Sequence, residues 1–193
     1  MTHRSVRLLV PLLCLLVFSA SASARTRNVT DADAPRALAE QGPVSVRWED
    51  PATFSELRYS HNIAESRRGT WVEQLASYLR KRAQPRLRSG ERLDVTITDI
   101  ERAGDYEPWL GVQFHDTRVI REIYPPRIAL TYTYTDADGA VIATGERKLS
   151  DSGFLMNSST AGFSSDPLRY EKSLIDRWLA REVPPRERHV SGR

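Results

Sequence analysis

Four carboxylates fall close together ahead of Trp109: Asp99, Glu101, Asp105 and Glu107. Oxygen ligands gathered in this way can hold a hard cation. Two carboxyls about 5 to 10 Å apart across a cleft can also act as acid and base in hydrolysis. The same stretch, Gly104-Asp105-Tyr106-Glu107-Pro108-Trp109, carries two aromatic side chains where no hydrophobic period asks for their burial. Rings in such a loop either close the end of a core or anchor an interface. An interaction surface is therefore expected at Asp105, Tyr106, Glu107 and Trp109, with Arg127 and Arg147 at the edge of the hairpin that follows.

Other chemistries find less support. Neither the G-x-S-x-G elbow nor an S-x-x-K pair occurs, although side chains distant in sequence can still meet in space. His61, His115 and His189 are the histidines beyond the N-terminal segment, without H-E-x-x-H or helical ligand spacing. Asp136-Ala137-Asp138-Gly139 has the opening of a calcium loop, but the apolar Val141 and Ile142 follow at once where further oxygen ligands are needed. That tetrapeptide reads as a turn. No catalytic residue, metal ligand or cofactor is nominated. Arg80, Lys81, Arg82, Arg86, Arg88 and Arg92 cluster at the end of a predicted helix, where cations suit the carbonyl dipoles. An anionic envelope component is the functional reading of the same cluster.

The chain has 193 residues and a net charge of +3. Arg4 and Arg7, the apolar run Leu8 to Phe18, and the small residues Ala20 to Ala24 make the three parts of a signal peptide over residues 1–24. The run is too short to span a bilayer, so no transmembrane anchor is expected after cleavage. Removing those 24 residues leaves 26 Lys+Arg against 25 Asp+Glu, a net charge of +1, which argues against nucleic acid as a partner. It also removes Cys14, the one cysteine, and with it any disulfide or thiolate chemistry. Localisation is expected to be periplasmic or secreted. Residues 25–43 read as a flexible leader, 44–183 as one domain and 184–193 as a disordered tail.

The elements that must position the loop follow from period and punctuation. Val44, Val46 and Trp48 alternate with polar residues to Asp50-Pro51, giving a strand. Phe54 to Tyr59 fits either a helical turn or an edge strand. Thr70 and Glu73 form a capping box ahead of a helix with Trp71, Leu75, Tyr78 and Leu79 on one stripe. Leu93, Val95 and Ile97 mark a second strand, and Val119 to Ile123 a short one. Ile128, Leu130, Tyr132 and Tyr134 alternate with Ala129 and three threonines, then turn at Asp136 to Gly139 into a return strand. Phe154, Leu155 and Met156 are expected on the core. Asp166-Pro167 opens a last helix as N-cap and first residue, with Leu168, Leu174, Ile175, Trp178 and Leu179 buried. The fold class is α+β: an antiparallel sheet of about four strands, with two helices packed on one face.

Trp48-Glu49-Asp50-Pro51, Gly104 to Trp109, Tyr124-Pro125-Pro126-Arg127-Ile128, Gly145 to Asp151 and Asp166 to Lys172, in this order, resemble a family of exported bacterial proteins catalogued as domain of unknown function 3016. The resemblance covers about Val44 to Val183. It implies a signal-bearing bacterial protein with one domain and carries over no catalytic residue. The expected function is a non-enzymatic binding or interaction module in the cell envelope, its partner another envelope protein or an anionic envelope component. The alternative is a carboxylate-dependent hydrolase acting on an envelope or extracellular substrate.

Overall fold

The computed structural model describes residues 27–156 and 165–184. The expected signal peptide, residues 157–164 and residues 185–193 of the expected tail lie outside the described residues.

Alternation produces β1 (Val44–Trp48), whose Val44, Val46 and Trp48 are buried. The chain then takes two short helices, α1 (Ser55–Arg58) and α2 (Ile63–Ser66), which resolves the ambiguity at Phe54 to Tyr59 in favour of a helix. Helix α3 (Trp71–Ala83) follows with Trp71, Val72, Leu75, Ala76 and Leu79 buried. Its expected capping box does not form: Thr70 makes no side-chain cap bond, and its hydroxyl accepts from the Gln74 side chain instead. Strand β2 (Arg92–Glu101) leads to a two-stranded pair, β3 (Asp105–Tyr106) with β4 (Arg118–Val119). The hairpin is β5 (Arg127–Thr135) with β6 (Val141–Ser150), and α4 (Arg169–Glu182) closes the order. Helix α4 begins later than expected. Asp166 accepts from the Leu168 N–H in a preceding turn, and Leu168 occupies the cap position.

The main sheet has the order β1-β2-β5-β6, so the fold is a mostly antiparallel α+β domain. One pairing departs from the expected all-antiparallel sheet: β1 runs parallel to β2. Parallel neighbours need a crossover, and α1, α2 and α3 supply it. Both long helices pack on the face that carries Val46, Val95, Leu130 and Tyr132 and touch each other there. Tyr132 meets Trp178 of α4 edge-on, with centroids 5.4 Å apart. The threonine-bearing face of β5 is therefore the outer one. In β2 a bulge between Ile97 and Asp99 keeps both Ile97 and Ile100 inward, opposite Leu130 and Ile128. The hairpin turn pairs as the sequence predicts. Asp136 N–H donates to Ala140 O at 2.9 Å, the Asp136 carboxylate accepts from Asp138 and Ala140, and Gly139 holds φ 84°.

Two segments differ from expectation. The leader does not hang free over residues 27–43: Leu38 N–H donates to Val46 O, Trp48 N–H donates to Arg36 O, and Val29 is buried in the core. It covers the outer edge of β1. After β6, Phe154 and Leu155 pack as expected, Phe154 against Tyr170, but Met156 stands in solvent.

Because Val29 contributes core area from within the expected leader, Val29→Ala is predicted to destabilise the fold by about 1–3 kcal/mol in urea unfolding. An unattached leader would give no change.

Candidate functional site

The loop from Asp105 to Val119 rests on a buried charge cluster. Glu56 of α1 is buried, and its carboxylate accepts from the Arg102 backbone N–H at 2.9 Å and from Arg102 Nη2 at 2.7 Å. It also pairs with the Arg118 guanidinium from β4. Arg102 Nη2 donates onward to Ser66 O, and its guanidinium lies 4.6 Å from the Trp71 ring centroid. Arg118 Nη1 donates to Gly104 O at 2.6 Å, and its guanidinium lies 4.9 Å from the Tyr106 ring centroid. A buried carboxylate between two guanidiniums is tolerable only because its lone pairs are filled. The result is a rigid floor joining α1, the end of β2, and β4.

Gly104 is required where this floor meets β4. Its φ is 78°, and a Cβ there would lie 2.6 Å from Val119 O. Above the floor, two 3-10 turns, Pro108–Leu110 and Val112–Phe114, are joined by Gly111 at φ 112°. A second clamp holds their near side. Glu107 is buried, 2.7 Å from Arg121 Nη2, and accepts from the Tyr124 hydroxyl at 3.2 Å. Burial and this bond to Glu107 hold the Tyr124 hydroxyl above its ordinary pKa.

What these clamps present to solvent is apolar. Trp109 is 60% exposed, Val112 80% and Phe114 44%, with Leu110 beside them. Trp109 meets His61 edge-on at 5.2 Å, and His61 Nδ1 lies 2.6 Å from the Asp105 carboxylate, which also accepts from the Tyr106 N–H. Asn62 donates to His115 O and to the Asp116 carboxylate. The segment between α1 and α2 is thus stitched to the loop, and the exposed Tyr59 and Ile63 flank that stitch.

The expected surface divides under this geometry. Asp105 and Trp109 come together through His61. Tyr106 and Glu107 are buried and serve the floor and the clamp. Arg127 is bound to Glu101 at 2.6 Å, and Arg147 to Glu182 at the end of α4, so both bond to other elements than the loop. The Arg147 bond, together with the Tyr132 hydroxyl, holds the Glu182 carboxyl below its ordinary pKa. The four carboxylates of the acidic stretch go to four different partners: Asp99 to Ser55, Glu101 to Arg127, Asp105 to His61 and Glu107 to Arg121. Among the described residues no three His, Cys, Asp or Glu side chains gather as a metal site, and no helix is long and apolar enough to cross a membrane. Half of the basic cluster serves the structure: Arg80 donates to Ala39 O, Arg82 to Asp176, and Arg86 to Val183 O.

A family model described as a protein of unknown function (DUF3016) matches residues 42–181. The chain belongs to this family. Its matched span begins just before β1 and ends within α4, so the floor, the clamp and the apolar loop all fall inside it. No curated protein and no solved structure matches the chain.

The residues missed by sequence reasoning are Glu56, Arg102, Arg118 and Arg121, while His61, set aside there for want of ligand spacing, joins Asp105 to Trp109. Glu56 lies between the buried Phe54 and Leu57, in the segment whose type was ambiguous, and no spacing links it to arginines 46 and 62 positions away. Glu171 of α4 was also unmarked. It is fully buried, one oxygen accepts from the Ala103 N–H at 2.6 Å, and the other has no hydrogen-bond partner among the described residues. Burial pushes its carboxyl up to about 7, with Arg102 opposing that shift and Glu56 adding to it.

Between about pH 4.5 and 7 Glu171 therefore binds more protons in the folded chain than in the unfolded one, so its contribution to stability falls as pH rises through that window and levels off above it. Glu171→Gln keeps an acceptor for Ala103 and removes the charge. It is predicted to abolish most of this slope, gaining about 2–3 kcal/mol over wild type at pH 8 and little at pH 4.5, read from urea midpoints. Glu56→Ala leaves two buried guanidiniums unpaired and is predicted to cost about 3–5 kcal/mol in the same measurement.

Proposed function

We propose that the protein is an exported binding module of the bacterial cell envelope that docks another envelope protein on the Trp109 to Phe114 loop. The observation that carries this reading is four apolar side chains held in solvent by a loop that cannot fold back over them. Isolated exposed hydrophobics are ordinary, but a contiguous set rimmed by polar groups marks an interaction site. Here the rim is Asn62, Gln113, His115 and Asp116, which offers donors and acceptors around an aromatic centre, the usual anatomy of a protein interface. Asp116 on the rim disfavours an anionic surface as the partner. The dispersal of the acidic stretch among four partners gives hydrolysis no comparable support.

A photoreactive residue in place of Trp109 is expected to yield one specific adduct in cells, while the same residue on the outer face at Thr131 yields none. Trp109→Ala is expected to weaken capture of that partner by at least about tenfold and to leave the unfolding midpoint within about 0.5 kcal/mol of wild type. An unchanged adduct pattern after removal of Trp109 would count against this surface. Export is checked separately, by fractionation and by the mass of the recovered chain, which should begin near Ser23 or Arg25.

A further inference from the structure

The main sheet has two outer edges, and the chain treats them differently. Residues 36–38 cover the edge of β1 through two backbone bonds, Leu38 N–H to Val46 O and Trp48 N–H to Arg36 O, each 2.9 Å. Among the described residues no strand pairs with the outer edge of β6, which spans 10 residues. Edges are usually blunted by proline, by a bulge or by charged side chains, which discourage indiscriminate pairing, and β6 carries Glu146, Arg147 and Lys148 along its run, so only a register that matches these charges can pair. Strand β6 has no proline, and its pairing irregularity lies at the hairpin end, between Tyr134 and Thr135, so the run from Ala143 to Ser150 is regular. Its outward charges are of opposite sign: Glu146 and Lys148.

We propose that two copies of this chain join antiparallel along β6, forming one continuous sheet of eight strands about a two-fold axis. Such pairing keeps each face of the sheet continuous, so outward residues must oppose outward residues. On the outer face these are Thr144, Glu146, Lys148 and Ser150. With the axis at Arg147, each Glu146 lies across from Lys148 of the second copy, and each Thr144 across from Ser150. Moving the axis to 146 sets glutamate against glutamate, and moving it to 148 sets lysine against lysine. Placing it at 145 sets Lys148 against Ile142. Only the axis at 147 matches both charges, and opposite charges directly across strands stabilise a pair while like charges oppose it.

The inner face accepts the same register. Gly145 would lie across from Leu149, with Arg147 Nη1 of its own chain 2.8 Å from where a Cβ would stand, and the two Arg147 guanidiniums that meet at the axis are each already held, by Glu182 through Nε at 2.8 Å and Nη2 at 3.2 Å and by Glu146 O through Nη1 at 2.9 Å. Within one copy the Glu146–Lys148 contact is 3.7 Å, and the lysine side chain is 82% exposed, so it contributes little there and both groups remain available.

The test is the oligomeric state of the full chain as the expressing cell delivers it, by light scattering and sedimentation over a concentration series. Wild type is expected to dimerise. Lys148→Glu, which puts two like-charged contacts across the axis, is expected to weaken the dimer by about 10- to 100-fold, and Glu146→Lys combined with Lys148→Glu to restore it. Thermal melts of each variant separate loss of pairing from loss of fold, and Trp109→Ala separates this edge from the apolar loop. A wild type that stays monomeric up to about 200 µM overturns the proposal. So does a dimer indifferent to Lys148→Glu, a double variant that fails to recover it, or a dimer lost on Trp109→Ala instead.

Discussion

The carboxylate of Glu56 is the point on which the molecule's irregular half depends. It sits out of water between the guanidiniums of Arg102 and Arg118, and each guanidinium is in turn stacked on a ring, Trp71 or Tyr106. Desolvating three charges is costly, and several kcal/mol per ion is the scale involved. Filling nearly every donor and acceptor offsets that cost. The alternative is local unfolding, since no single hydrophobic contact replaces the three-way junction of α1, β2 and β4. The cluster thereby converts a segment with little regular structure into a fixed platform.

Period-2 and 3.6-residue patterns made the regular half legible. Leu93 to Ile97 and Ile128 to Tyr134 show which side of each strand is buried, and the turn at Asp136 carries its own register in the glycine at 139. The direction of β1 was not legible, because a strand's alternation is the same whether its neighbour runs parallel or antiparallel. What decides it is the helical segment between β1 and β2, and the part from Phe54 to Tyr59 was ambiguous because four residues are too few to show a helical period. Strand β3 escaped for the same reason, being two residues long, and its partner β4 overlaps the short strand expected over Val119 to Ile123 only at Val119.

The candidate surface was half legible. Asp105 and Trp109 were marked by composition, but an aromatic loop residue can be core or contact, and the sequence at Tyr106 and Trp109 offers no difference between them. Their fates separate by what lies beneath. Tyr106 has Arg118 against its face, whereas Trp109, three residues on and past Pro108, meets the edge of His61 and stands 60% exposed. Arg127 and Arg147 are marked in the sequence by their place at the edge of the hairpin. In the fold they have carboxylates opposite them, from β2 and from α4, which only tertiary pairing brings near.

Clamping also bears on why the apolar side chains of the loop stay in solvent. A loop with Trp109, Leu110, Val112 and Phe114 that was free to move would lower its free energy by turning them inward against its own domain, since each buried large side chain gains about 1.5–3 kcal/mol. The Glu107–Arg121 pair, the Arg118–Gly104 bond and the Asn62 bonds to His115 and Asp116 hold both ends and one flank. Each turn also satisfies its own backbone: Leu110 and Gly111 donate back to Glu107 and Pro108, and Phe114 and His115 to Gly111 and Val112. Covering the loop therefore strands few polar groups, and little chain entropy remains to be lost on contact. For the proposed docking role, a surface prepared in this way would place the cost of order in the folding of the domain and leave the apolar area as the driving force for association.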